Sequence, residues 1–175
     1  MNEKPRILLF TGYGKGKTTA ALGMALRAAG HGMRVLVLQF VKQDSTTGEI
    51  AAVKSIENID IVQTGAGFVP QPDHPKFPEH LEAAEAGLRR AAEAVLSGKY
   101  ALVILDEICV AVARGLIPEK DVLELSRRLP QGTRLVLTGR DATPALIEMA
   151  DTVSDVRCVK HALQAGQPAQ KGVER

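Results

Sequence analysis

Short runs of β-branched and leucine-rich positions alternate with longer stretches whose apolar residues recur every three or four positions. That is the pattern of βα units around a parallel sheet. It predicts strands at Ile7–Thr11, Val35–Phe40, Ile59–Gln63, Leu102–Asp106 and Leu135–Thr138, with a less apolar sixth at Thr152–Arg157. Several are apolar throughout instead of alternating, as strands covered by helices on both faces are. Thr18–Ala29 predicts a helix ended by Gly30 in the left-handed conformation. The longest helix is predicted over Glu79–Ser97, with Leu81, Ala84, Leu88, Ala91, Ala92 and Val95 on one side and Gly98 closing it. Arg89 and Arg90 fall on its solvated face. Pro118 opens a helix to about Arg128, and Pro144 opens a short one after a Thr143 cap. Val41–Glu49 and Thr64–Pro78 fit neither pattern; both follow strands, where an α/β sheet places its ligand loops. The expected organisation is one α/β domain over residues 1–175, with a flexible tail from Gln164 onward.

Composition narrows the class. Hydrophobic residues make up 45% of the 175 and charged ones 24%, a globular balance. Aromatics are only 3% with no Trp, so the core has to come from Ala, Val, Leu and Ile. A net charge of +2 and the lack of a basic stripe argue against a nucleic-acid surface. Cys109 and Cys158 form no CxxC pair, which points to a reducing cytosol and away from a disulfide framework or zinc site. Met1–Arg6 has no apolar leader and no run reaches a membrane-spanning length, so a cytoplasmic protein without a membrane partner is expected.

The chemistry concentrates between the first strand and the first helix, in Thr11-Gly12-Tyr13-Gly14-Lys15-Gly16-Lys17-Thr18-Thr19. Glycines let backbone N–H groups converge on phosphate oxygens, and the helix N-terminus adds its dipole. Lys17 supplies a point charge to the phosphates, and the Thr18 hydroxyl is placed to ligate Mg²⁺. Thr11 stands where such phosphate loops (P-loops) usually begin with Gly. The second half of the site is Leu102–Asp106 followed by Glu107. An acid at the end of a neighbouring parallel strand is where these folds hold the metal, directly or through water. Asp106 is read as a metal ligand or a partner one layer out. Arg140, after Thr138-Gly139, is read as a phosphate contact or a surface charge. His31, His74, His80 and His161 show no metal-like spacing, with His74 and His80 in the proline-rich loop; Cys109 reads as a small core residue.

A phosphate loop identifies a ligand and leaves the reaction open. No Asn-Lys-x-Asp segment reads guanine, which disfavours a GTPase. A RecA-like motor finds no charge for a nucleic-acid track. A small-molecule kinase would want an arginine-bearing lid, whereas the loops here offer Lys42 and Lys76. Residue by residue, the reading ends at an ATP·Mg²⁺ site on an α/β domain, with a kinase and a non-catalytic ATP-binding module both open.

The string from Thr11 to Met33 resembles the opening of the ATP:corrinoid adenosyltransferases of the bacterial CobA/BtuR type. The agreement continues through Gln39-Phe40-Val41-Lys42, Gly65-Ala66-Gly67-Phe68, Leu105-Asp106-Glu107 and Leu137-Thr138-Gly139-Arg140. It resumes at Ala150–Ser154, Val159–Ala162 and Ala169–Glu174, so it covers nearly the whole chain in order. Two positions depart from the family, Tyr13 in place of Asn or Asp and Pro70 in place of a Trp found in some members; a third expected departure is the N-terminal arm of well-studied members, since the first predicted strand starts at Ile7.

The resemblance implies a RecA-like P-loop domain that transfers the 5′-deoxyadenosyl group of ATP to Co(I) of a corrinoid and releases tripolyphosphate. Co(I) is already a strong nucleophile, so no general base is required. The enzyme has to align C5′ with cobalt and stabilise charge on the leaving triphosphate. Gly12, Tyr13, Gly14, Lys15, Gly16, Lys17, Thr18, Thr19 and Arg140 are then expected to bind the nucleotide. Thr18, Asp106 and Glu107 are expected to hold Mg²⁺ (or Mn²⁺). Phe68, with Val69 and Pro70 beside it, is expected to cover one corrin face and keep water off cobalt, and is counted with Lys17 as catalytic. A homodimer and an electron-donating reductase partner are implied by the same resemblance.

Overall fold

Val35–Gln39 and Leu102–Asp106 are buried at every position, and their alternate residues enter two different cores. Val35 and Val37 join Leu102, Ile104 and Val136 on one face of the sheet, packed by Ala21, Ala25 and Val53. Leu36 and Leu38 join Val103, Leu105, Leu135 and Leu137 on the other, packed by Ala84, Ala91, Val95, Ile108 and Val122. Successive side chains of a strand point to opposite faces, so an uninterrupted apolar run requires helices on both.

The computed structural model describes residues 3–44 and 46–173. Its strands are β1 (Arg6–Thr11), β2 (Val35–Gln39), β3 (Ile59–Gln63), β4 (Leu102–Asp106), β5 (Arg134–Thr138) and β6 (Thr152–Asp155). The helices are α1 (Lys17–Gly30), α2 (Gly48–Lys54), α3 (Phe77–Leu96), α4 (Ile108–Ala113), α5 (Glu119–Arg127) and α6 (Pro144–Met149), followed by a 3-10 turn at Ala162–Ala165. All strands are parallel, in the order β3-β2-β4-β5-β1-β6. Their carboxyl ends, Thr11, Gln39, Gln63, Asp106, Thr138 and Asp155, therefore meet along one edge.

Several expectations need correcting. β4 is not the neighbour of β1; β5 lies between them, paired to both. Gly30 is the last residue of α1, and the left-handed residue is Gly32, with φ 72°. Gly98 does take the expected left-handed conformation after α3, with φ 65°. β6 stops at Asp155, two residues early. α3 starts at Phe77 and holds Pro78 in its first turn, where a missing N–H costs nothing. His80 lies in that helix and is buried, in keeping with the predicted Glu79–Ser97 span and not with a place in the proline-rich loop. α2 lies at the end of a stretch that fits no pattern. Its signal is Thr47 before Glu49, with Ile50 and Val53 turned inward three residues apart. The Thr143 cap is confirmed, its side chain accepting from Leu146 N–H at 3.3 Å. Glu174, the end of the family-like tail, lies outside the described residues.

Candidate active site

The loop between β1 and α1 borders a cavity of about 620 Å³ at the carboxyl edge. Every residue from Tyr13 to Thr19 lines it. Gly16 has φ 125°, a conformation that penalises any side chain, and open space around it. Gly14 is glycine for another reason. A Cβ there would sit 2.6 Å from the Arg157 carbonyl oxygen, and its N–H donates to Val156 O at 2.6 Å. That N–H serves the segment leaving β6, so it is not one of the donors available to a phosphate.

Lys17, the first residue of α1, folds back inside the loop. Its Nζ donates to Gly12 O at 2.7 Å and Gly14 O at 2.8 Å. Burial holds this ammonium below the usual lysine range, with Arg140 pushing the same way against Glu107 and Asp106. Phosphate oxygens would relieve that deficit, since they supply the solvation the site withholds. Lys15, Lys42 and Arg140 face the same cavity, so four cationic side chains meet two carboxylates, Glu49 and Glu107.

Asp106 is fully buried at the end of β4 and acts as a hub. Its Oδ1 accepts from Thr18 Oγ1 at 2.8 Å and from Thr138 Oγ1 at 2.7 Å. Its Oδ2 accepts from Gln39 Nε2 at 3.1 Å and lies 3.7 Å from Lys42 Nζ. Lys42 also pairs with Glu49 of α2 at 3.2 Å. Glu107 follows with φ 62°, a left-handed backbone that costs a non-glycine residue about 1–2 kcal/mol. Its N–H donates to Thr138 Oγ1 at 2.9 Å, and its carboxylate turns into the cavity. Burial, then the neighbouring Asp106 charge, pushes the Glu107 carboxyl above its usual range, against Lys17, Lys42 and Arg140.

These groups fit a small hard cation. No group of three His, Cys, Asp or Glu side chains able to hold a metal occurs among the described residues. A metal here would therefore draw most ligands from phosphate and water, as Mg²⁺ commonly does. The Thr18 hydroxyl and two adjacent acids would complete its surroundings, and a cation there would offset the burial and the Asp106 charge that raise the Glu107 carboxyl.

Tyr13 is tied to the loop after β5. Its hydroxyl donates to the Asp141 carboxylate, and the Arg140 guanidinium lies 5.8 Å from its ring centre. The Asp141 hydrogen bond and charge raise the phenol above its ordinary range. Arg140 thus stands at the cavity, braced by a residue of the phosphate loop.

Phe68 is 90% exposed and does not line this cavity. Val69, expected beside it on an apolar surface, is buried in the core instead. The loop nevertheless belongs to the same edge, because Gly65 packs on the Phe40–Val41 backbone and Thr64 N–H donates to Gln39 O at 2.9 Å. Cys109 is buried, and desolvation pushes its thiol up to about 12, as suits a core residue. A second groove, of about 370 Å³ between α3 and α5, is lined by none of the candidate site residues.

Sequence reasoning gave no role to Thr138, Gln39, Glu49 or His161. Thr138 and Gln39 carry the one available signal, polar residues that close otherwise apolar strands. His161 and Val173 reach the cavity from the C-terminal segment, and nothing local in the sequence announces that.

Comparison with known proteins agrees with this geometry. The corrinoid adenosyltransferase of Pseudomonas aeruginosa is 39% identical over 174 residues, covering 99% of this chain and 85% of that protein. The corrinoid adenosyltransferase CobA of Salmonella typhimurium is 36% identical over 174 residues, covering 98% and 86%. Among solved structures, the KaiC-like protein PH0186 of Pyrococcus horikoshii superposes with a TM-score of 0.56 at 19% identity, over 86% of this chain and 69% of that one. That likeness speaks for a RecA-like P-loop fold. A sequence model of the family described as ATP:corrinoid adenosyltransferase BtuR/CobO/CobP matches residues 3–175. With its phosphate loop, its buried strand-end acid and near full-length similarity, the chain belongs to the ATP:corrinoid adenosyltransferase family.

Proposed function

We propose that this protein transfers the 5′-deoxyadenosyl group of ATP to Co(I) of a corrinoid and releases tripolyphosphate. The observation that carries the reading is the convergence of Lys15, Lys17, Lys42 and Arg140 on the cavity of the phosphate loop. Preorganised cations aimed at developing charge are the largest catalytic term available to a site with a polyanionic leaving group. The cobalt electron pair forms the bond to C5′, the C5′–O bond breaks, and its electrons leave on the triphosphate. No proton moves in that step, so no base has to be positioned.

Lys15 and Lys17 hold the triphosphate, and Arg140 meets it from the β5 side. Thr18, Glu107 and, one layer out, Asp106 would hold Mg²⁺, which supplies further charge neutralisation to the phosphates when bound. Phe68 offers an exposed aromatic ring on the neighbouring loop and is assigned to the corrin face, where it keeps axial ligands from cobalt. An electron-donating reductase, a homodimer and a cytoplasmic setting belong to the same reading. Among the described residues, no helix is long and apolar enough to cross a membrane.

The test is a product analysis with reduced corrinoid and ATP. Optical spectra should report a carbon–cobalt bond while phosphorus NMR reports one tripolyphosphate per adenosylated corrinoid. Stoichiometric ADP would instead favour a kinase, and ATP binding without turnover would favour a non-catalytic module.

A further inference from the structure

The segment after β6 returns twice to the cavity of the phosphate loop, first through His161 and again through Gly172 and Val173. Of residues 157–173, His161 is the one that is half-buried, and the others are exposed. Its orientation is set locally. Nδ1 accepts the Leu163 N–H at 3.2 Å, capping the 3-10 turn Ala162–Ala165, which Gly166 closes at φ 73°. A nitrogen that accepts carries no proton, so the neutral ring bears its proton on Nε2. Among the described residues, none pairs with Nε2. A donor with its tautomer already chosen therefore stands in a cavity with Lys15 and Arg140, where the bound species is anionic.

We infer that His161 is a nucleotide-binding residue whose Nε2–H donates to an oxygen of the polyphosphate chain, fastening residues 157–173 over the occupied phosphate loop. This rests on the ATP reading above. The segment after β6 also supports the loop itself through the Val156 carbonyl, which accepts the Gly14 N–H. The chain leaving β6 thus holds the loop from one side and closes on its ligand from the other.

Calorimetric titration of the full chain with ATP and with inorganic tripolyphosphate tests this. His161→Ala should weaken both ligands by about tenfold, the usual range for one hydrogen bond to a charged acceptor. His161→Gln, which keeps a donor at similar reach, should recover much of that loss. His161→Ser keeps a capping acceptor for Leu163 without the reach, and should bind as weakly as the Ala variant. ATP should also slow tryptic cleavage after Lys160 and Lys171 in the parent chain and not in His161→Ala. Unchanged affinity in His161→Ala, restoration by Ser, or a loss seen with ATP and not with tripolyphosphate would each overturn the assignment. Failure of the parent chain to bind ATP would remove the nucleotide reading itself.

Discussion

The Thr18 hydroxyl donates to Asp106 Oδ1 at 2.8 Å although 88 residues separate them and β1, which leads into α1, is not adjacent to β4. Thr138, at the end of the strand between, donates to the same oxygen at 2.7 Å. The first turn of α1 is thereby locked to β4 through a carboxylate with no contact to solvent. An Asn at position 106 could accept both hydroxyls on its oxygen, but its NH₂ would then face Gln39 Nε2 and Lys42 Nζ. Two donors pointed at each other in a buried site should cost about 1–3 kcal/mol. Asp106→Asn should therefore lower the urea midpoint as well as turnover; an unshifted midpoint would contradict the hub.

Lys17→Ala should remove most ATP affinity, by roughly 10–100-fold, while the fold survives. Lys17 is buried and charged against the preference of its surroundings, so its removal relieves a desolvation cost while two hydrogen bonds to the loop are lost. Alanine is also the better helix former. Titration calorimetry alongside thermal unfolding measures both; a normal ATP affinity would refute the role.

Glu107 gives the stability of the empty protein a pH signature. Its folded pKa lies above the ordinary 4.5, first through burial and then through Asp106. Between those two values the folded chain holds a proton that the unfolded chain has released, so stability falls as pH rises through the window. Glu107→Gln has no such proton. Urea midpoints measured from about pH 4.5 towards neutrality should fall less steeply in the variant, and parallel curves would contradict the shift.

Phe68→Ala should leave the melting temperature almost unchanged, within about 0.5 kcal/mol of parent stability, because an exposed ring contributes little to the core. ATP binding should also persist. Adenosylation that begins from Co(II) should drop more than adenosylation of chemically prereduced Co(I). Magnetic resonance of the Co(II) complex with ATP is decisive: an undiminished four-coordinate signal would remove Phe68 from the corrin face.

Cys158 is exposed and Cys109 is buried with its thiol pushed up to about 12. Thiolates react and thiols do not, so alkylation of the native protein at mildly alkaline pH should add one group per chain, at Cys158. Two adducts before unfolding would contradict the packing of α4.

What the sequence alone determined is local. Five strands start or end within one residue of where the apolar runs place them, since a run of buried β-branched residues and its flanking turns act over a few positions. The phosphate loop was legible because glycines, lysines and hydroxyls must follow one another between a strand and a helix to do that chemistry. The Thr143–Pro144 start of α6 was legible for the same reason. The tertiary structure decided what joins distant segments. It put β5 between β1 and β4, which made Thr138 a partner of Asp106 and Thr18. It also gave Gly14 to the Val156 carbonyl, sent Val69 into the core while Phe68 stayed out, and brought His161 back to the cavity. Periodicity reports which side of an element is buried; it carries no information about which element does the burying, because strand order depends on crossovers that span the chain.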